Sequence, residues 1–317
     1  MIGTNLQHAA DLLKAGNLVA IPTETVYGLA ANALNEQAVV EIYKAKNRPF
    51  FDPLIVHIHS VSQLKNYTTD IPGIALRLAE KFWPGPLTLV LKKKECIPDL
   101  VTAGLDSVAV RIPAHPLTLD LLRMLTFPLA APSANPFGYI SPTSAQHVED
   151  QLGDKVPYIL NGGTCAVGLE STIVGFSDSE TPVILRLGGI NVEEIEKVAG
   201  HIEMRISKNS NPEAPGQMDS HYAPRTPLIL CESLEETIKK HQGKKMAILC
   251  FSKRTTAGVF VQEVLSVNAD LDDAARNLFK TLRSLDRKNA AVIIAEMVPD
   301  KGLGRAINDR LKRAALV

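Results

Sequence analysis

Several apolar segments of this sequence carry side chains that a buried strand has no structural need for. AIPTETVYG (20–28) runs from aliphatic residues into Thr23, Glu24, Thr25 and Tyr27. LAAPSAN (129–135) closes on Ser133 and Asn135, and VGLESTIVGF (167–176) opens its apolar run with Glu170, Ser171 and Thr172. SVAVRIPAHP and PVILRL each place one arginine, Arg111 and Arg186, among hydrophobic neighbours. Taken singly, each has an ordinary explanation: a threonine as a helix N-cap, an arginine in a structural ion pair. An arginine in an apolar strand is costly, however, unless a carboxylate or another anion meets it. Two such arginines and several strand-end hydroxyls together predict one polar, cationic cavity at a sheet edge, where ligands of α/β sheets lie.

The densest cationic stretch is EIYKAKNRPFFDPLIVHIH. Lys44, Lys46 and Arg48 fall at a helix end, where positive charge also suits the helix dipole. Pro49 stops the helix, and Asp52 and Pro53 prepare the next strand. The same cations beside a strand-end pocket suit a nucleotide's phosphates. His57 and His59 alternate and share a strand face, but with no third ligand nearby they do not suggest a metal site. Ser62-Gln63-Leu64-Lys65 matches SxxK without the SDN or KTG that a penicillin-recognising hydrolase requires. There is no GxxxxGK[ST], GxSxG or HExxH, so any use of ATP proceeds without a P-loop.

These residues need elements to hold them. Up to about residue 206 short β-rich runs alternate with helical periods, and successive strands are not always separated by a helix, which predicts an α/β sheet with some antiparallel pairing. Residues 207–226, SKNSNPEAPGQMDSHYAPRT, show neither period and read as a linker. From 227 to 317, strand and helix alternate as in a small parallel, Rossmann-like domain, with no GxGxxG after its first strand. The 317 residues carry 34 Lys plus Arg against 34 Asp plus Glu, so no overall field draws the chain to nucleic acid or membrane. Apolar runs are too short to span a bilayer, the start lacks a secretory core, and the four cysteines are scattered. A reduced, cytoplasmic protein is expected.

PTETVYGLA, KNRPFFDPLIVHI, WPGPLTLVLK, VAVRIPAHP, APSAN, NGG with GLESTIV, and APGQMDSHYAP together resemble the threonylcarbamoyl-adenylate synthase family. The resemblance is specific through residue 226 and weaker beyond it. One departure is Ala30, where the family usually has Gly. The resemblance implies a YrdC-type twisted mixed sheet with helices, plus the smaller Rossmann-like parallel α/β domain of the family's longer branch. It also implies a nucleotidyltransferase reaction in which L-threonine, bicarbonate and ATP give threonylcarbamoyl-AMP and pyrophosphate. A downstream threonylcarbamoyl transferase then modifies adenosine beside the anticodon of tRNA, so this chain need not hold stable nucleic acid.

Carried over residue by residue, the resemblance places Thr25, His57, Arg111 and Ser171 at the threonine. Lys46 and Arg48 face the phosphates of ATP, and Asp52, Thr102, Ser133, Asn135, Ser141 and Arg186 lie on the nucleotide side. Tyr222 is expected to fold the linker over the pocket as a lid, and the linker and C-terminal domain to gate access. Mg²⁺ is expected to be held mainly by phosphate oxygens and water. No covalent nucleophile is expected, because a carbamate oxygen attacks the α-phosphate directly. Three rival readings are separable. An RNA-binding module of the YrdC type lacks RGG tracts and stacking aromatics here. A carbamoyl-phosphate-dependent relative would bring a zinc-finger cysteine pattern. Adenylation of an amino acid carboxylate would not depend on bicarbonate.

Overall fold

The computed structural model describes residues 1–177, 180–206 and 222–315. Most of the expected linker, 207–221, lies outside the described residues. The chain divides into two compact units. The first comprises Met1–Phe137, Pro142–Ala166 and the described part of Glu170–Met218. The second comprises Gly138–Ser141, Val167–Leu169 and the described part of Asp219–Val317. Two short stretches from the middle of the sequence thus belong with the C-terminal residues.

In the first unit the described strands are β1 (Ile2–Gly3), β2 (Val19–Ile21), β3 (Gly28–Asn32), β4 (Ile55–His57), β5 (Leu87–Lys92), β6 (Ser107–Arg111), β7 (Leu129–Ala130), β8 (Tyr158–Leu160), β9 (Thr172–Phe176), β10 (Pro182–Arg186) and β11 (Glu203–Met204). They form one sheet in the order β1-β8-β2-β3-β7-β4-β6-β5-β9-β10-β11. The sheet is mixed, as expected: β4 runs parallel to β6 while β5 and β6 are antiparallel. The expectation missed β3, which pairs with β2 as a hairpin registering Ile21 with Gly28. PTETVY is therefore the hairpin's connection, not the approach to a helix.

The central strands have two unlike faces, because side chains alternate along each strand. Leu87, Leu89 and Leu91 of β5 and Val108 and Val110 of β6 point to one face and are buried core. The other face carries His57 opposite Arg111, Ile55 opposite Ala109, Val90 opposite Ala109, Lys92 opposite Ser107 and Thr88 opposite Ile173. An irregularity between Ile184 and Arg186 in β10 sets Arg186 opposite Ile173 as well. The expected cavity at a sheet edge is thus corrected to a sheet face: the polar residues interrupt an apolar floor of Ile55, Ala109, Ile173, Val183 and Leu185.

The helix Glu36–Lys46 places the first cations. Asn35 caps its start by accepting from the Gln37 and Ala38 N–H groups at 3.1 and 3.3 Å, and Asn47 ends it in the left-handed conformation at φ 52°. Lys46, its last residue, points inward and is 1% exposed.

The second unit holds β12 (Leu228–Cys231), β13 (Met246–Cys250), β14 (Val261–Val264) and β15 (Val292–Glu296), in the order β12-β15-β13-β14. All its pairings are parallel, which agrees with the expected small parallel layer; β14 was not foreseen. No helix among the described residues is long and apolar enough to cross a membrane.

Candidate active site

The β2–β3 connection folds tightly on itself. The Thr23 hydroxyl donates to the Val26 carbonyl at 2.6 Å and lies 2.7 Å from the Thr25 hydroxyl. Tyr27 anchors the NGG segment: its hydroxyl donates to the Gly163 carbonyl at 2.7 Å and accepts from the Gly162 N–H at 3.1 Å. A Cβ on Gly162 would stand 2.5 Å from the His115 ring and 2.6 Å from Pro22, so only glycine fits there.

Arg111, the last residue of β6, joins this turn to the sheet. Its Nη1 donates to Thr25 Oγ1 at 2.9 Å, its Nη2 to Glu24 Oε1 at 2.6 Å and its Nε to the Gly85 carbonyl at 3.2 Å. His57 lies opposite Arg111 in the neighbouring strand. Burial, and then the Arg111 charge, push its pKa from 6.5 down to about 3, so the imidazole is neutral at physiological pH. Cys165 is buried nearby; burial, and then Glu24, push its thiol up to about 12. A thiol held protonated in this way is not a nucleophile.

A second cluster surrounds Asp52. Arg48 Nη2 stands 2.8 Å from Asp52 Oδ1, while Arg48 also donates to the Asp52 and Pro53 carbonyls at 3.1 and 2.8 Å. Both Asp52 carboxylate oxygens nevertheless lack a hydrogen bond, the ion pair being close but poorly aligned. Burial raises the Asp52 pKa, opposed by Arg48, Lys46 and Arg186. Lys46 Nζ donates to the Ser133 and Asn135 carbonyls, each at 2.5 Å. Burial, and then Arg48, hold its pKa well below the usual lysine value. Arg186 donates to the Ser171 carbonyl at 2.9 and 3.1 Å and to its hydroxyl at 3.0 Å, and Ser171 lies 2.7 Å from Thr88 Oγ1.

The structure therefore brings together Thr25, His57 and Arg111 in one cluster and Lys46, Arg48, Asp52, Ser133 and Asn135 in a second. Arg186, bonded to Ser171, acts electrostatically on Asp52. Thr102 shares no hydrogen bond with either cluster among the described residues. It ends the short helix Asp99–Thr102, and its hydroxyl donates to the Leu105 carbonyl at 2.9 Å and accepts from Lys93 at 3.1 Å. Ser141 and Tyr222 belong to the second unit. There the Ser141 carbonyl accepts from Arg283 at 3.3 Å. Tyr222 stacks on Phe279 at 5.7 Å between ring centroids, with the Arg310 guanidinium 4.9 Å from its ring.

A cavity of about 420 Å³ opens on the same sheet face, lined by Val90, Lys92, Ser107, Gly175, Val183 and Leu185 among others. The sequence reading missed Lys92 and Ser107. For Ser107 the signal was present in SVAVR, where Ser107 and Ala109 share the period-two face of Arg111.

Comparison with known proteins now bears on this geometry. A family model described as Telomere recombination matches residues 11–188, and one described as Threonylcarbamoyl-AMP synthase, C-terminal domain, matches residues 190–316. A threonylcarbamoyl-AMP synthase of Pyrococcus abyssi is 44% identical, over 97% of this chain and 93% of its own length. The chain belongs to the threonylcarbamoyl-AMP synthase family. A member from Bacillus subtilis is likewise 44% identical, over 98% of this chain and 92% of its own length. The crystal structure of P. abyssi Sua5 complexed with L-threonine superposes with a TM-score of 0.92 at 43% identity, covering 98% of this chain and 94% of that one. The architecture of the family, a large twisted mixed sheet and a smaller parallel one, is the architecture of this chain.

Proposed function

We propose that this chain forms threonylcarbamoyl-AMP and pyrophosphate from L-threonine, bicarbonate and ATP. The observation that carries the reading is the pairing of a buried Thr25–Arg111 site, which suits a small amino acid, with a second buried cluster of Lys46, Arg48 and Asp52, which suits phosphate. The relative solved with bound L-threonine supports the amino-acid end.

Arg111 has five N–H donors and three protein acceptors, which leaves two donors for the threonine carboxylate, the bidentate match arginine favours. His57, kept neutral, adds no charge beside it. On the phosphate side Arg48 Nη1 has no protein acceptor among the described residues, and Lys46 lies beside it. The nucleoside then lies over Val90, Val183 and Leu185, beside Ser107.

The threonine amine, once deprotonated, condenses with bicarbonate to give a carbamate and water. A carbamate oxygen then attacks the α-phosphorus and the bond to pyrophosphate breaks, so AMP is joined to the threonylcarbamoyl group. Proximity and orientation supply roughly 7–11 kcal/mol in well-aligned reactions of this kind. Burial of the face keeps water from the carbamate and the mixed anhydride. Mg²⁺ would enter on the triphosphate, held mostly by phosphate oxygens and water, and would offset phosphate charge; among the described residues no group of three or more His, Cys, Asp or Glu side chains could hold the ion by itself. The product passes to a threonylcarbamoyl transferase acting on tRNA, in the cytoplasm.

The test is pyrophosphate release from ATP with threonine and bicarbonate omitted in turn. Each omission should abolish release, and release that ignores both would overturn the assignment.

A further inference from the structure

Glu24 has no part in the reaction so far, although it lies in the turn that carries Thr23 and Thr25. That turn contains hydrogen bonds running in one direction. A carbonyl only accepts, so the 2.6 Å contact between Thr23 Oγ1 and the Val26 oxygen commits the single Thr23 proton. With that proton committed, the 2.7 Å contact between the two hydroxyls takes its proton from Thr25, at a Thr23 oxygen that also accepts from the Thr25 and Val26 N–H groups at 3.1 and 3.2 Å. Thr25 Oγ1 also accepts from Arg111 Nη1. Its remaining capacity is one acceptor position, which suits an N–H of a substrate and repels a carboxylate oxygen.

Which of the two Thr25 acceptor positions stays open depends on how the Arg111 guanidinium is turned, and Glu24 holds its other terminal nitrogen. Glu24 Oε1 accepts from Arg111 Nη2 at 2.6 Å, and Oε2 accepts from the Ala114 N–H at 2.9 Å. The carboxylate thus ties the β2–β3 turn both to the end of β6 and to the residues just beyond it. It is also the counter-charge of a buried guanidinium.

We infer that Glu24 is a positioning residue for the amino-acid end of the site. It fixes which two Arg111 N–H groups face the substrate carboxylate, and through Arg111 it fixes which acceptor position of Thr25 is left for the substrate amine. The site then reads an α-amino acid as a pair of groups. A ligand without the amine leaves an acceptor unmatched, and one without the carboxylate leaves two donors unmatched. The inference rests on the threonine reading above and adds the residue that orients that end.

Glu24→Gln tests it. The amide keeps the size, but its one oxygen serves only one of the two donors, while its NH₂ faces the other. The KM for L-threonine should rise at least about tenfold while that for ATP stays within about twofold, the pattern of a lost interaction on one substrate. Glu24→Asp, which keeps two acceptor oxygens, should show the same split with a smaller amplitude, and it carries the test if the Gln variant fails to fold. An unchanged threonine KM, or equal rises for both substrates, would overturn the role of Glu24. Wild-type protein separates the two readings: release without any need for threonine removes the proposed activity, whereas threonine-dependent release with no shift in the variants removes only the Glu24 inference.

Discussion

Arg48 and Arg111 are both buried arginines at strand or helix ends, yet their partners divide their tasks. Arg111 is held by a carboxylate, a hydroxyl and a carbonyl, and its two remaining donors suit a carboxylate. Arg48 leans on Asp52 and Pro53 and keeps one whole terminal nitrogen without an acceptor among the described residues. Replacing Arg48 by Ala should therefore raise the KM for ATP by about 10- to 100-fold, the range for one or two charge-assisted hydrogen bonds, and leave the threonine KM within about twofold. Steady-state kinetics with each substrate varied checks this. The double variant Arg48→Ala/Asp52→Asn keeps the buried carboxylate from being stranded and should show the same split. His57 gives a prediction in pH. Its pKa falls from 6.5 to about 3 on folding, so the unfolded chain takes up a proton that the folded chain refuses. Its contribution to stability is complete above pH 6.5 and is lost as pH falls toward 3. The melting temperature of wild type should fall between pH 7.5 and 5, and His57→Gln should fall less steeply over the same range.

Strands place these residues, and how well they were legible depended on length and neighbours. β4, β5, β6, β9 and β10 were plain because aliphatic runs with a single polar interruption have one periodicity. β3 was not. GLAAN follows directly on the polar turn and is too poor in β-branched residues to read as a strand by itself. It exists because β2 and β7 pair with it on either side. Thr102 shows another limit: a polar residue near an apolar run carries no sign of whether local carbonyls satisfy it, as the Leu105 carbonyl does here. The cationic residues were legible singly, but their convergence was not, since sequence spacing does not report cross-strand register. Backbone packing at the end of β10 offers an element-scale test. A Cβ on Gly188 would lie 2.4 Å from the Glu170 carbonyl oxygen and the Ser171 carbonyl carbon. Gly188→Ala should displace the strand start that bears Ser171 and with it the Arg186 contacts. A lower melting temperature together with a raised KM for ATP is expected in thermal melts and kinetics; an unaffected KM for ATP would detach Arg186 from the nucleotide end.

At the scale of the whole molecule, two units of α/β character share one chain, and the second takes Gly138–Ser141 and Val167–Leu169 from within the sequence of the first. Within the second unit Asp286 accepts from the Tyr139 hydroxyl at 2.6 Å and from the Thr226 N–H at 2.8 Å. The strand–helix rhythm after residue 227 made the parallel layer legible; the two inserted stretches were not, because nothing in their composition marks which core they join. Equal numbers of acidic and basic residues agree with a task confined to small anions and an amino acid. The central claim is that one sheet face joins a carbamoylated threonine to the α-phosphate of ATP. Mass spectrometry of the product made with ¹³C-bicarbonate tests it most directly. Threonylcarbamoyl-AMP carrying a single ¹³C is the expected result, whereas an unlabelled threonyl adenylate would contradict the account.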